Sequence, residues 1–127
     1  MQIGIIGGGP VGLIASLALR NTGHTVRVFD PSTQKPKMSL ALSETTLSLL
    51  ENIGVHLTAG QDLFEILVNE QGLPGSMLLN AHECGHFRFG RVICSHALDQ
   101  VLASHVTNMI ESVVVTKVRA RTTAGNP

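Results

Sequence analysis

Gly7, Gly9 and Gly12 spell GxGxxG directly after an apolar, β-branched run at residues 2–6 and at the start of a helical pattern that opens with Pro10. That placement suits chemistry done by the main chain. Gly7 permits a tight turn out of a strand, Gly9 has no side chain to hold a diphosphate away from the backbone, and Gly12 lets the helix pack on the strand. The stretch Gly7, Gly8, Gly9, Pro10, Val11 and Gly12 is therefore a candidate phosphate cradle. The N–H groups of a helix start and the positive end of its dipole stabilise an anion there without a cationic side chain. Asp30 stands at the end of the next β-like run, where a carboxylate accepts hydrogen bonds from adenosine ribose hydroxyls and repels a 2′-phosphate. With 13 glycines in 127 residues the triplet alone is a weak signal, so the flanking strand, the helix and the acid carry the reading. Spacing does not choose between FAD and NAD, since both present the same ADP group.

A second pattern competes. His82-Glu83-Cys84-Gly85-His86 matches HExxH, which binds zinc when one helical turn sets both imidazoles on the same face. Gly72, Pro74, Gly75, Gly85 and Gly90 crowd this region, and Phe87-Arg88-Phe89 alternates like a strand. A solvated turn between strands is the expectation, with no metal. No Ser/His/Asp set is recognisably spaced, and no catalytic residue is assigned. Cys84 and Cys94 lack a CxxC partner and read as reduced thiols of a cytoplasmic protein. Nine Lys and Arg balance nine Asp and Glu without forming a stripe, and Trp and Tyr are absent, so nothing points to nucleic acid. The uncharged opening at residues 1–19 has the length of a targeting segment but no basic start, and its repeated glycines would break a membrane helix.

These residues need elements to hold them. A strand at 2–6, a helix at 10–21 ended by Gly23, and a strand at 25–30 make a βαβ unit with parallel strands. Gly12, Ala15, Ser16 and Leu19 are expected to face the sheet. After a polar loop at 31–37, Ser43 starts a second helix with Leu47, Leu50 and Ile53 inward and Gly54 as its stop. Short strands at 63–68, 77–81 and 87–93 suggest a meander. Ser95 is placed to cap a last helix running to about His105, with Leu98, Val101 and Leu102 inward. A final strand is expected at 112–118, then a soft polar tail at 122–127. Hydrophobic residues make up 43% and charged residues 14%, which fits one α/β domain of Rossmann type spanning 1–127 with a small added β meander.

The stretch GGGPVGLIASLALRNTGHTVRVFD is similar to the opening of the class A flavoprotein monooxygenases, down to Gly9-Pro10 and Gly23-His24. ALSETTLSLLENIGV, NEQGLPGSMLL and FGRVICSHALDQVL resemble the ubiquinone-biosynthesis hydroxylases among them, the 2-polyprenyl-6-methoxyphenol hydroxylase family. The resemblance implies FAD as cofactor, NAD(P)H as electron donor and a small aromatic substrate, a ubiquinone precursor. It also implies peripheral membrane or biosynthetic-complex association of the whole enzyme. The flavin supplies the oxygen chemistry, while the protein positions substrate and excludes water. Ser95 and His96 fall where relatives place residues beside the cofactor. Two positions depart from the family pattern: Met38, beside Lys37, and the helix start Ser95-His96 stand where relatives often carry Arg. The chain corresponds to about a third of a full member, so it is expected to be a truncated fold that binds FAD weakly and hydroxylates nothing by itself. A non-catalytic ADP- or FAD-binding module and an NAD-dependent oxidoreductase are the alternatives.

Overall fold

A computed structural model describes residues 1–31 and 36–119. Strand β1, Gln2–Ile6, leads through the glycine loop into helix α1, Pro10–Arg20, and strand β2, Thr25–Phe29, returns parallel to β1 with Gln2 opposite Thr25 and Ile6 opposite Phe29. The expected βαβ unit is therefore present. Helix α1 has Gly9 as its N-cap and Pro10 in its first turn, where the missing proline N–H costs nothing. Its buried positions are Leu13, Ser16 and Leu17, one step round from the face expected. The larger leucines take the core, while Gly12 sits where the helix start meets the strand. Buried Ser16 satisfies its hydroxyl by donating to the Leu13 carbonyl at 2.7 Å.

Beyond β2 the chain forms β3, Ser39–Ser43, which the sequence reading did not anticipate, and then α2, Glu44–Asn52. Ser43 both ends the strand and caps the helix, its hydroxyl accepting from the Thr46 amide at 3.2 Å. At the other end Gly54, with φ of +84°, donates to Glu51 while Val55 donates to Leu50, the paired bonds that close a helix through a left-handed glycine.

The remaining strands are β4, Gln61–Leu63, β5, Glu65–Asn69, β6, Ser76–Asn80, and β7, Gly90–Cys94. The added strands do not follow one another as a simple meander. An antiparallel sheet takes the order β3-β7-β4, and β5 and β6 pair separately as a hairpin. Helix α3, Ser95–Val106, follows β7 without a break and packs against α1. Its cap is Cys94 and not Ser95, whose hydroxyl is engaged elsewhere. Strand β8 is only Ile110–Glu111, pairing parallel with Val28 and Phe29. The strand expected over 112–118 does not form: Val113, Val114 and Val118 are exposed. β-Branched residues favour a strand only where a neighbour supplies the ladder and the packing. Residues 32–35 of the expected loop and the tail at 122–127 lie outside the described residues.

One core joins these elements. Leu13 and Leu17 of α1, Val28 of β2, Leu50 of α2, Ile93 of β7, and Leu98, Leu102 and Val106 of α3 are all buried together with Val55. Inward positions of α2 and α3 match those expected, with Val101 and Ile53 partly buried at the margin. No helix among the described residues is long and apolar enough to cross a membrane.

Candidate nucleotide-binding site

The glycine loop turns where β1, α1 and β2 converge. The Gly7 amide still belongs to the sheet, donating to the Phe29 carbonyl at 2.9 Å, and its φ of +103° then swings the chain out of the strand. Gly8 is buried, and its amide donates to Asp30 Oδ2 at 2.6 Å. The first bond within α1 runs from the Leu13 amide to the Gly9 carbonyl. Ahead of it, Pro10 has no N–H, and the Val11 and Gly12 amides have no partner among the described residues. These are the donors that a helix start leaves for an anion.

A methyl group placed on each glycine sorts their roles. At Gly12 it would strike the Gly7 carbonyl oxygen, so this glycine is required by the fold. At Gly8 it would come within 2.9 Å of the Asp30 carboxylate. At Gly9 it would meet nothing within 4 Å. Gly9 has ordinary extended geometry, with φ of −75° and ψ of 176°, so neither strain nor crowding requires a glycine there. Space in front of the backbone is what its missing side chain provides, as expected of a cradle that must admit a diphosphate.

Asp30 lies where the sequence placed it, half-buried at the end of β2, but it is already in contact with the loop. A carboxylate has two oxygens and several acceptor positions, and the bond from Gly8 holds the group in place beside the loop. The resemblance-derived pair separates. His96 is exposed on α3, whereas Ser95 is buried, accepts from the Met38 amide at 3.1 Å and donates to the Pro36 carbonyl at 3.4 Å. The Ser95 amide in turn donates to the Met38 carbonyl at 2.8 Å. The two positions where relatives often carry Arg thus clasp each other through neutral groups.

A family profile described as "FAD binding domain" matches residues 1–108. The chain belongs to the FAD binding domain family. Over 79 residues this FAD binding domain is 30% identical to hispidin-3-hydroxylase of Neonothopanus nambi, covering 61% of this chain and 19% of that protein. Among solved structures it resembles 2-methyl-3-hydroxypyridine-5-carboxylic acid oxygenase, with a TM-score of 0.67 at 19% identity. It also resembles HpxO of Klebsiella pneumoniae in its complex with FAD and uric acid, with a TM-score of 0.65 at 16% identity. Each covers 87% of this chain and is itself matched over 30% of its length, so the chain spans less than a third of these relatives. The solved structures establish the α/β fold expected from sequence.

The residues present fit FAD on two observations, the open space at Gly9 and the amides ahead of the first helical bond. Helix-start amides would hold the diphosphate and Asp30 the adenosine ribose.

The HExxH stretch is a turn. The His82 and Glu83 amides donate to Asn80 Oδ1, the Gly85 amide to the His82 carbonyl and the His86 amide to the Ala81 carbonyl. The two imidazoles approach different rings, His82 stacking on Phe64 and His86 tilting over Phe89. No three His, Cys, Asp or Glu side chains among the described residues are grouped to hold a metal. Cys84 and Cys94 are both free.

Sequence reasoning missed one charged cluster. Arg88 grips both Glu44 at the start of α2, at 2.6 Å, and Asp62 of β4, at 3.0 Å, while Arg91 of β7 reaches Asp62 at 2.7 Å and the Leu57 carbonyl at 2.7 Å. The Arg91 hydrogen bond, aided by Arg88 and partly opposed by burial, holds the Asp62 carboxyl below its usual range. The Glu44 hydrogen bond, with Asp62, raises Arg88 further above its already high value. The cluster joins α2 to the antiparallel sheet. Its partners are far apart in sequence, so no local spacing could have revealed it.

Proposed function

We propose that this chain is the FAD-holding part of a flavin-dependent monooxygenase that hydroxylates an aromatic ring with NAD(P)H and O2. The observation that carries the proposal is the open face of Gly9 beside the unpartnered amides of Val11 and Gly12, because space and donors together serve a diphosphate, and neither crowding nor strain requires a glycine at position 9. Membership of the FAD binding domain family selects FAD over NAD for that diphosphate. The relatives are named as a hydroxylase of hispidin and an oxygenase of a hydroxypyridine carboxylic acid, which supports a planar ring as substrate class. Within that class a ubiquinone precursor is proposed, on the resemblance of residues 41–55 and 89–102 to the ubiquinone-biosynthesis hydroxylases. A cytoplasmic enzyme with peripheral association to a membrane or a biosynthetic assembly belongs to the same proposal.

The chain's own residues would bind and orient. Helix-start amides neutralise the diphosphate, Gly9 admits it, and Asp30, steadied by Gly8, fixes the adenosine ribose. Bound FAD would supply the redox chemistry.

Titrating the 127-residue chain with FAD, ADP and NAD tests the binding part. FAD and ADP should both bind and FAD should bind more tightly than NAD; binding of neither would sink the proposal. Product formation from a prenylated phenol should stay at background for these 127 residues alone, since the relatives they match are about three times longer. The substrate class is tested in a protein of the relatives' length that begins with this chain. Hydroxylation of a heteroaromatic acid or a purine in preference to the phenol would reassign it.

A further inference from the structure

The parallel sheet has the strand order β1-β2-β8, so β1 has a neighbour on one side only among the described residues. Two bonds fix which way its main chain points. The Gly7 amide donates to the Phe29 carbonyl and the Met1 carbonyl accepts from the Thr25 amide, so residues 1, 3, 5 and 7 are turned toward β2. Direction alternates along a strand, and Gln2, Gly4 and Ile6 therefore hold their N–H and C=O groups out over the free edge. Sheet edges of this kind are usually blunted by a Lys, a Pro, a bulge or a covering element. Gln2–Ile6 carries no charge and no proline, and it keeps regular register with β2 from end to end.

The edge is complementary to itself. When a second β1 runs antiparallel about a twofold axis at Gly4, Gly4 faces Gly4, Gln2 faces the partner's Ile6 and Ile6 faces the partner's Gln2. All three positions present outward groups, so each pair exchanges two hydrogen bonds and the junction makes about six. Ile3 then falls opposite the partner's Ile5 on the helix side, adding apolar cross-strand pairs. On the other side Gln2 lies across from Ile6, whose side chain is 61% exposed, and no side chain stands on the axis. Arg27, beside Gly4 in the ladder, is already paired with Glu111 at 3.3 Å and brings no uncompensated charge. The β5–β6 hairpin also has free edges, but its central side chains are exposed, whereas Ile5 packs β1 against the shared core.

We infer that this chain pairs with a second copy of itself through the free edge of β1, forming a twofold, six-stranded sheet centred on Gly4. The antiparallel pairing sends the two glycine loops to opposite ends of the junction. A five-residue edge is a small interface, so the dimer belongs to the weak, concentration-dependent class.

Sedimentation of the 127-residue chain from roughly micromolar to sub-millimolar concentration should show its mass rising from one copy to two. Hydrogen exchange over the same range locates the contact. The amides of Gln2, Gly4 and Ile6 should exchange freely in dilute solution and slow in step with the mass, while those of Ile3 and Ile5 should be protected throughout. Gln2→Pro removes an outward N–H at the first strand position, where proline is tolerated, and symmetry doubles the loss. Its dimer dissociation constant should rise at least about tenfold. Gln2→Thr keeps the N–H and should pair as wild type does. If Gln2→Pro fails to fold, the exchange pattern of wild type decides the case. A chain that stays monomeric over the whole range overturns the inference. So does a dimer that protects β5 or β6 amides and not those of Gln2, Gly4 and Ile6, or one that folded Gln2→Pro leaves unchanged.

Discussion

Gly9 and Gly12 stand three residues apart in one motif, yet replacing them should have opposite consequences. Gly9→Val introduces a side chain into empty space at a backbone conformation valine tolerates, so stability should fall by less than about 1 kcal/mol, the size of a helix-cap effect. FAD and ADP binding should disappear, because the new methyl groups occupy the ground of the diphosphate. Gly12→Ala pushes its methyl group into the Gly7 carbonyl and should destabilise the chain by roughly 1–3 kcal/mol, the usual cost of overpacking. Chemical denaturation and calorimetric titration of both variants check the pair. If Gly9→Val bound FAD normally, the cradle would be misplaced. The motif and Asp30 were legible in sequence because each lies within a few residues of the turn or strand end that positions it. The engagement of Ser95 by Met38 and Pro36 was not, since it joins segments far apart in the chain. Nor did sequence show that Asp30 and Gly8 already hold each other, a contact across the sheet that only the folded loop creates.

The secondary elements divide in the same way. Strands β1 and β2 and helices α1, α2 and α3 announce themselves by periodicity and by their caps, and the structure places them within a residue or two of expectation. Strand β3 escaped notice because Ser-Leu-Ala-Leu-Ser has low β-propensity and reads equally well as the approach to α2; what makes it a strand is its ladder with β7. The converse error at 112–118 came from trusting valine without a partner strand. The Arg88, Arg91, Glu44 and Asp62 cluster, which ties α2, β4 and β7 together, should be visible in stability. Asp62 has its carboxyl held below the ordinary value when folded, so its contribution is fully present above the usual carboxylate range, near pH 4. It fades as pH falls through the lower folded-state value. Asp62→Asn should therefore lower the urea midpoint at pH 7, and the gap from wild type should close on acidification. A gap that widened in acid would contradict the ion-pair account. Removing one partner from such a cluster also strands the guanidinium groups, so Asp62→Asn should cost more than a typical exposed pair.

At the scale of the whole molecule, stability is uneven. Leu17, Val28, Leu50 and Leu102 are sealed in the shared core, whereas Leu67, Val68, Met77 and Leu78 of the β5–β6 hairpin are all exposed. The hairpin makes its ladder within itself and is tied at its base by the bond from the Ala81 amide to the Phe64 carbonyl. Amide hydrogens of the hairpin should thus exchange far sooner than those of α1 and β2, by local opening that leaves the core intact. Equal protection in both would show that the hairpin shares the core's cooperativity. The parallel sheet carries a different asymmetry. Its first two strands are joined by one short helix, but the third contributes only Ile110 and Glu111, drawn from the far side of everything that follows Phe29. As the polypeptide leaves the ribosome, the glycine loop and β2 would emerge well ahead of β8, leaving one flank of β2 bare until some eighty further amino acids had been added. Nascent chains in that interval have every reason to engage a chaperone, or the nucleotide itself, ahead of strand β8.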